Sequence, residues 1–171
     1  NYQIEKIKID VHVESSVRDN AFPVFLESDG QRWVETYNGL MAYDIQKKSK
    51  KYFTQNSLNP ISSNIIYSFL QDPYGNLWIG TANGLNKYSN RQKTITQIIY
   101  PSLISNTTDN TVYSIASDNN ILYFGTNNGI IRLNPTKNIQ TNLETYNSEN
   151  SNLTNNIVYS VLIDKSQNIW A

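Results

Sequence analysis

Hydrophobic and polar positions along this chain fall into short runs that return at a fixed interval. From Ile65 to Gln71, Ile65, Tyr67 and Phe69 lie on one parity and Ile66, Ser68 and Leu70 on the other. An extended segment of this kind shows apolar side chains on both faces, as a strand stacked between two layers would. Asp72-Pro73-Tyr74-Gly75 closes the run, with proline pre-setting φ and glycine free to take positive φ. A second strand is predicted over Asn76–Thr81. Asn83-Gly84 then predicts a tight type I′ hairpin, which needs positive φ at both central residues. A third strand is expected at Leu85–Ser89 and, across a loop at Asn90–Lys93, a fourth at about Thr94–Tyr100. Four antiparallel strands in about 45 residues make one propeller blade.

The same pattern recurs. Asn20, Asn64, Asn110 and Asn156 are spaced by 44, 46 and 46 residues; Trp33, Trp78, Tyr123 and Trp170 by 45, 45 and 47; Gly39, Gly84 and Gly129 by 45 and 45. Three independent markers share one period, so the fold class expected is all-β: a partial β-propeller of about three and a half four-stranded blades. The blades are placed at 17–60, 61–106, 107–152 and 153–171, after a leading strand within 1–16. Natural propellers close with four to eight blades. The chain is therefore expected to be a piece of a larger ring, or to associate with a second copy through open blade edges.

The repeat resembles the two-component regulator propeller repeat. Asp72-Pro-Tyr-Gly75-Asn-Leu-Trp78-Ile-Gly80-Thr81-Ala-Asn83-Gly84-Leu85 follows that family's pattern Asp-x-x-Gly-x-Leu-Trp-Ile-Gly-Thr-x-x-Gly-Leu. The likeness runs over residues 17–171. The first copy departs at Glu35, where the pattern has glycine, and the third has Tyr123-Phe124 for Trp-Ile and lacks the turn glycine. What the resemblance implies is an extracytoplasmic sensor region, periplasmic or extracellular, of a membrane-anchored bacterial signalling protein. Many such proteins are hybrid histidine kinases, and some carry a diguanylate cyclase output. Their ligands are often oligosaccharides. The alternative is a structural or protein-interaction propeller that mediates dimerisation of its parent.

Composition narrows the chemistry. Fourteen basic and fourteen acidic residues cancel, and the only basic run is Lys47-Lys48-Ser49-Lys50-Lys51, read as a solvated loop. Nucleic-acid binding is not expected, because it needs a basic face. There is no cysteine, hence no disulfide or thiolate metal site, and no apolar run of membrane-spanning length. No cofactor, metal or catalytic constellation is expected. His12, the only histidine, falls on the polar side of an alternating strand, and the sequence lacks a Gly-x-Ser-x-Gly elbow and a P-loop.

Residues repeated in every blade are read as architecture: Trp33, Trp78 and Trp170 as packing between blades, Gly80 as a point of close approach, Thr81 as a hydroxyl bond to a neighbouring strand, Gly84 and Gly129 as hairpin glycines, and Asp72, with Asp118 and Asp164, as turn caps. The candidate ligand residues lie in the loops leading into the first strands and in the hairpins, expected to share one rim: Asn64, Asn83, Asn110, Asn128, Asn156 and Tyr37. Neutral amides beside an aromatic ring suit sugar hydroxyls.

Overall fold

A computed structural model describes residues 24–26, 30–36, 38–98, 109–138 and 142–171. The leading strand expected within 1–16, His12 and Tyr37 lie outside them. The described elements are all strands. They are β1 (Val24–Leu26), β2 (Gln31–Thr36), β3 (Gly39–Asp44), β4 (Ser49–Phe53), β5 (Ile66–Gln71), β6 (Leu77–Thr81), β7 (Gly84–Ser89) and β8 (Thr94–Ile98). There follow β9 (Val112–Asp118), β10 (Ile121–Thr126), β11 (Gly129–Leu133), β12 (Leu143–Tyr146), β13 (Leu162–Ile163) and β14 (Ile169–Trp170). Each blade is an antiparallel meander in chain order: β1–β4, β5–β8 and β9–β12 form four-stranded sheets and β13–β14 pair alone.

The middle strands carry the core. All five residues of β6 are buried, because β6 is paired on both edges and covered on both faces. Trp33 packs against Phe53 of its own blade and Tyr88 of the next, with ring centroids 5.6 and 4.6 Å away. Leu77 and Ile79 complete that layer. Trp78 joins Leu122, Phe124, Ile131 and Leu133 in the layer between the second and third blades. Both indoles are fully buried, whereas Trp170 is 60% exposed. Glycine is required where blades approach most closely. A Cβ on Gly80 would meet Ser68 Oγ and lie 2.8 Å from the Val112 carbonyl of the next blade. On Gly125 it would lie 2.6 Å from both Ser114 Oγ and the Val158 carbonyl.

Three local expectations change. First, the hairpin is not type I′. Thr81 pairs with Gly84, so the loop is Ala82-Asn83, and only Gly84 takes positive φ, at 110°. Gly39 and Gly129 repeat this at 111° and 101°. One left-handed glycine after a two-residue turn is the bulged hairpin geometry, and it asks nothing unusual of the asparagine. Second, the innermost strand is not covered on both faces throughout. Ile65 and Tyr67 are exposed, because the β5–β6 register jumps from Ile66↔Thr81 to Ser68↔Gly80 and leaves Tyr67 in a bulge. Third, the basic run is only half a loop. Ser49–Lys51 form the start of the outer edge strand β4, solvated as expected, where lysines discourage edge-to-edge pairing.

Candidate functional site

The loops leading into the innermost strands and the hairpins between second and third strands do share one rim, and hydrogen bonds tie them together. Ser62 N donates to Asn86 Oδ1 at 2.9 Å, and Ser62 Oγ lies 2.9 Å from Thr81 Oγ1. Thr111 Oγ1 of the third blade lies 3.2 Å from the Ala82 carbonyl of the second. Gly129 N donates to Asn156 O at 2.6 Å and Val158 N to Thr126 O at 2.8 Å. Three of the loops that lead into the innermost strands share one device, a side chain that accepts the backbone N–H two residues on. Ser63 Oγ accepts from Ile65 N, Asp109 Oδ1 from Thr111 N, and Asn155 Oδ1 from Ile157 N. Such side-chain turns fix the direction in which the strand leaves the loop.

The rim asparagines are largely engaged in this architecture. Asn64 Oδ1 accepts Gln55 N at 2.8 Å, and Asn156 Oδ1 accepts Ser148 N at 2.8 Å, each clamping the loop that arrives from the preceding blade. Asn83 N and Asn128 N donate to Thr81 Oγ1 and Thr126 Oγ1, and Asn83 Nδ2 reaches the Ser62 carbonyl at 3.4 Å. Asn83 is solvent-exposed, whereas Asn64, Asn110, Asn128 and Asn156 are half-buried.

The repeated residues sit where the repeat places them. Thr36, Thr81 and Thr126 each donate to the carbonyl of the hairpin glycine at 2.8 Å, the first residue of the neighbouring strand, and so close the hairpin. Asp72 caps its turn by accepting from Tyr74 N at 3.0 Å and Asn76 N at 2.8 Å. It also accepts from Trp78 Nε1 at 3.0 Å, a bond not anticipated from sequence. Asp164 repeats the set with Ser166 N, Asn168 N and Trp170 Nε1. These bonds hold the Asp164 carboxyl down at about 2, led by those from the Asn168 side chain and the Trp170 indole. Asp118 instead meets the Asn119 side chain, in the copy that has Tyr123 in place of tryptophan.

Sequence reasoning missed a column of tyrosines. Tyr67, Tyr113 and Tyr159 lie three residues after Asn64, Asn110 and Asn156, so the period itself was the signal. Their rings meet from one blade to the next, Tyr67 in β5, Tyr113 in β9 and Tyr159 in the segment before β13, with centroids 5.4 Å apart for Tyr67–Tyr113 and 4.9 Å for Tyr113–Tyr159. Burial, the Asp109 carboxylate and the flanking tyrosines raise the Tyr113 hydroxyl above its ordinary pKa, against a hydrogen bond with Thr111. No group of three or more His, Cys, Asp or Glu side chains that could hold a metal gathers among the described residues.

Comparison with known proteins agrees with this architecture. Residues 60–83 match the family described as two component regulator propeller. Over 95 residues the chain is 37% identical to "Histidine kinase P4" of Formosa agariphila, covering 53% of this chain and 6% of that protein. Among solved structures, the extracellular domain of a proposed hybrid two component system from B. thetaiotaomicron superposes with a TM-score of 0.67 at 23% identity, covering 91% of this chain and 19% of that one. The extracellular domain of a proposed one component system from the same organism gives 0.59 at 22%, covering 90% and 26%. Virginiamycin B lyase from Staphylococcus aureus gives 0.59 at 18%, covering 86% and 46%. Signalling proteins and an enzyme thus share the fold, and the chain spans a small part of the signalling relatives. Residues 60–83 thus carry the two-component regulator propeller repeat, and they lie in the second of successive four-stranded antiparallel blades.

Proposed function

We propose that this chain is part of the ligand-sensing propeller of a membrane-anchored bacterial signalling protein of the histidine kinase type. It works outside the cytoplasm and recognises an oligosaccharide or another small polar ligand at the inner rim. The observation that carries this reading is the chemistry of that rim. Asn64, Asn83, Asn110, Asn128, Asn155 and Asn156 supply neutral amide donors and acceptors, and Asp109 is the one charged residue among the described rim positions. Such a surface matches hydroxyl groups without the desolvation cost of unpaired charge. The likeness to histidine kinase P4 and to extracellular sensor-system domains supports the setting. On this reading the piece binds and the rest of its protein performs any catalysis.

A second reading follows from the engaged asparagines. Asn64 and Asn156 clamp neighbouring loops, as they would in a scaffold that holds its parent in a dimer. Calorimetric titration with a panel of oligosaccharides separates the two. Saturable heat from one of them supports sensing. Silence across the panel, together with a concentration-dependent dimer in light scattering, supports the scaffold.

A further inference from the structure

The tyrosine column allows a sharper statement, one that rests on reading the rim as a ligand site. The bulge that frees Tyr67 recurs in the third blade, where the β9–β10 register jumps from Ser114↔Gly125 to Val112↔Thr126 and leaves Tyr113 unpaired. A bulge re-aims a side chain and is often found beside a functional site. The result differs from that at the repeated tryptophans. Trp33 and Trp78 are fully buried, but Tyr67 is 44% and Tyr159 69% exposed. A large aromatic repeated in three blades, half-buried at Tyr113 and exposed at Tyr67 and Tyr159, contributes little to the core. The first copy has Pro23 at the equivalent position.

We propose that Tyr67, Tyr113 and Tyr159 form the stacking platform of the site and that its ligand is an uncharged oligosaccharide lying across the three rings. Two features select that class. The rings are mutually tilted by 50° and 59° at contact distance, so there is no slot between them for a planar aromatic ligand. They offer a faceted surface on which successive sugar rings can rest, apolar face down. The rim beside them offers amides and no cation among its described residues, and Asp109 is already bonded to Thr111. An acidic sugar would find no counter-charge there and would meet Asp109.

The test is calorimetry on the full chain with cellohexaose, mannohexaose, maltohexaose and, as the acidic probe, tetragalacturonate. At least one neutral hexaose should bind. Tyr113→Val and Tyr159→Val should each weaken it roughly ten-fold. Tyr159→Phe, which keeps the ring, should bind within about two-fold of the parent. Tyr159 is mostly exposed, so its variants should keep the parent's melting temperature and circular dichroism. Asn64→Ala should lower the melting temperature more than the affinity. A neutral hexaose bound equally well by both valine variants overturns the platform and leaves the rim reading standing. Binding of tetragalacturonate alone overturns the choice of an uncharged ligand. Silence of all four overturns the platform and the rim reading together.

Discussion

Replacing Asp72 with alanine removes, in one step, the acceptor for the Tyr74 and Asn76 amides, the Asn76 side chain and the Trp78 indole. The four donors do not lose equally. The turn amides are part-buried, and water can replace much of their bonding, at about 1 kcal/mol in total. Trp78 is fully buried, so its N–H is left without a partner, which costs about 1–3 kcal/mol. The expected loss is about 2–4 kcal/mol, or roughly 5–15 °C of melting temperature for a chain of this size. Urea unfolding followed by circular dichroism and by fluorescence measures it. Asp164→Ala is the internal control: it removes the same bonds from Trp170, which is 60% exposed and can turn to water, so its midpoint should move far less. A double-mutant cycle with Trp78→Phe isolates the indole bond, and a coupling near zero would remove it from the explanation. If Asp72→Ala stays within about 0.5 kcal/mol of the parent, the reasoning that burial amplifies this bond is refuted.

Other outcomes follow from the same geometry. Gly80→Ala and Gly125→Ala push a methyl group against a carbonyl of the next blade and should each cost about 1–3 kcal/mol by thermal unfolding; a neutral result would show that the blades can separate at no cost. Ser68 and Ser114 bury hydroxyls that have no partner among the described residues, so Ser68→Ala should be neutral or stabilising, and a large loss would reveal a bond there. Thr81→Val leaves the Asn83 amide without its acceptor and should lower stability by about 1–3 kcal/mol, with the damage confined to the second hairpin in amide exchange. The Asp164 carboxyl lies at about 2, below the ordinary value near 4. The unfolded chain therefore takes up that proton first on acidification. The contribution of Asp164 to stability is present above about pH 4 and is lost as pH falls toward about 2, and a carboxyl carbon titration by NMR reads the midpoint directly. A midpoint near 4 would show that the Asn168 and Trp170 bonds do not persist in solution.

The repeat was legible in the sequence because its markers answer to local or per-blade demands. Glycine at the hairpin is needed for positive φ, aspartate at the turn for its two amides, and tryptophan for a layer that every blade must fill. What blurred was geometry set by pairing. Asn83-Gly84 reads as a type I′ turn, but Thr81↔Gly84 pairing moved the loop one residue back and gave the positive φ to Gly84 alone. The parity of β5 reads as two covered faces, but a single bulge at Tyr67 undid it, and a bulge leaves no mark in a pattern of two. The asparagines read as a binding set because their type suits sugars, yet two of them clamp loops that lie eight or nine residues away in the chain.

By itself, then, the sequence determined the all-β class, the period of about 45 residues and the residues on which each blade is built, since these follow from side-chain size, φ preference and alternation within one segment. Only the tertiary structure decided which repeated residues are sealed and which face water. Trp78 and Tyr67 each belong to a repeated column, but the next blade closes over one while a bulge turns the other outward. That difference depends on how neighbouring blades stack, and no single blade's sequence contains it.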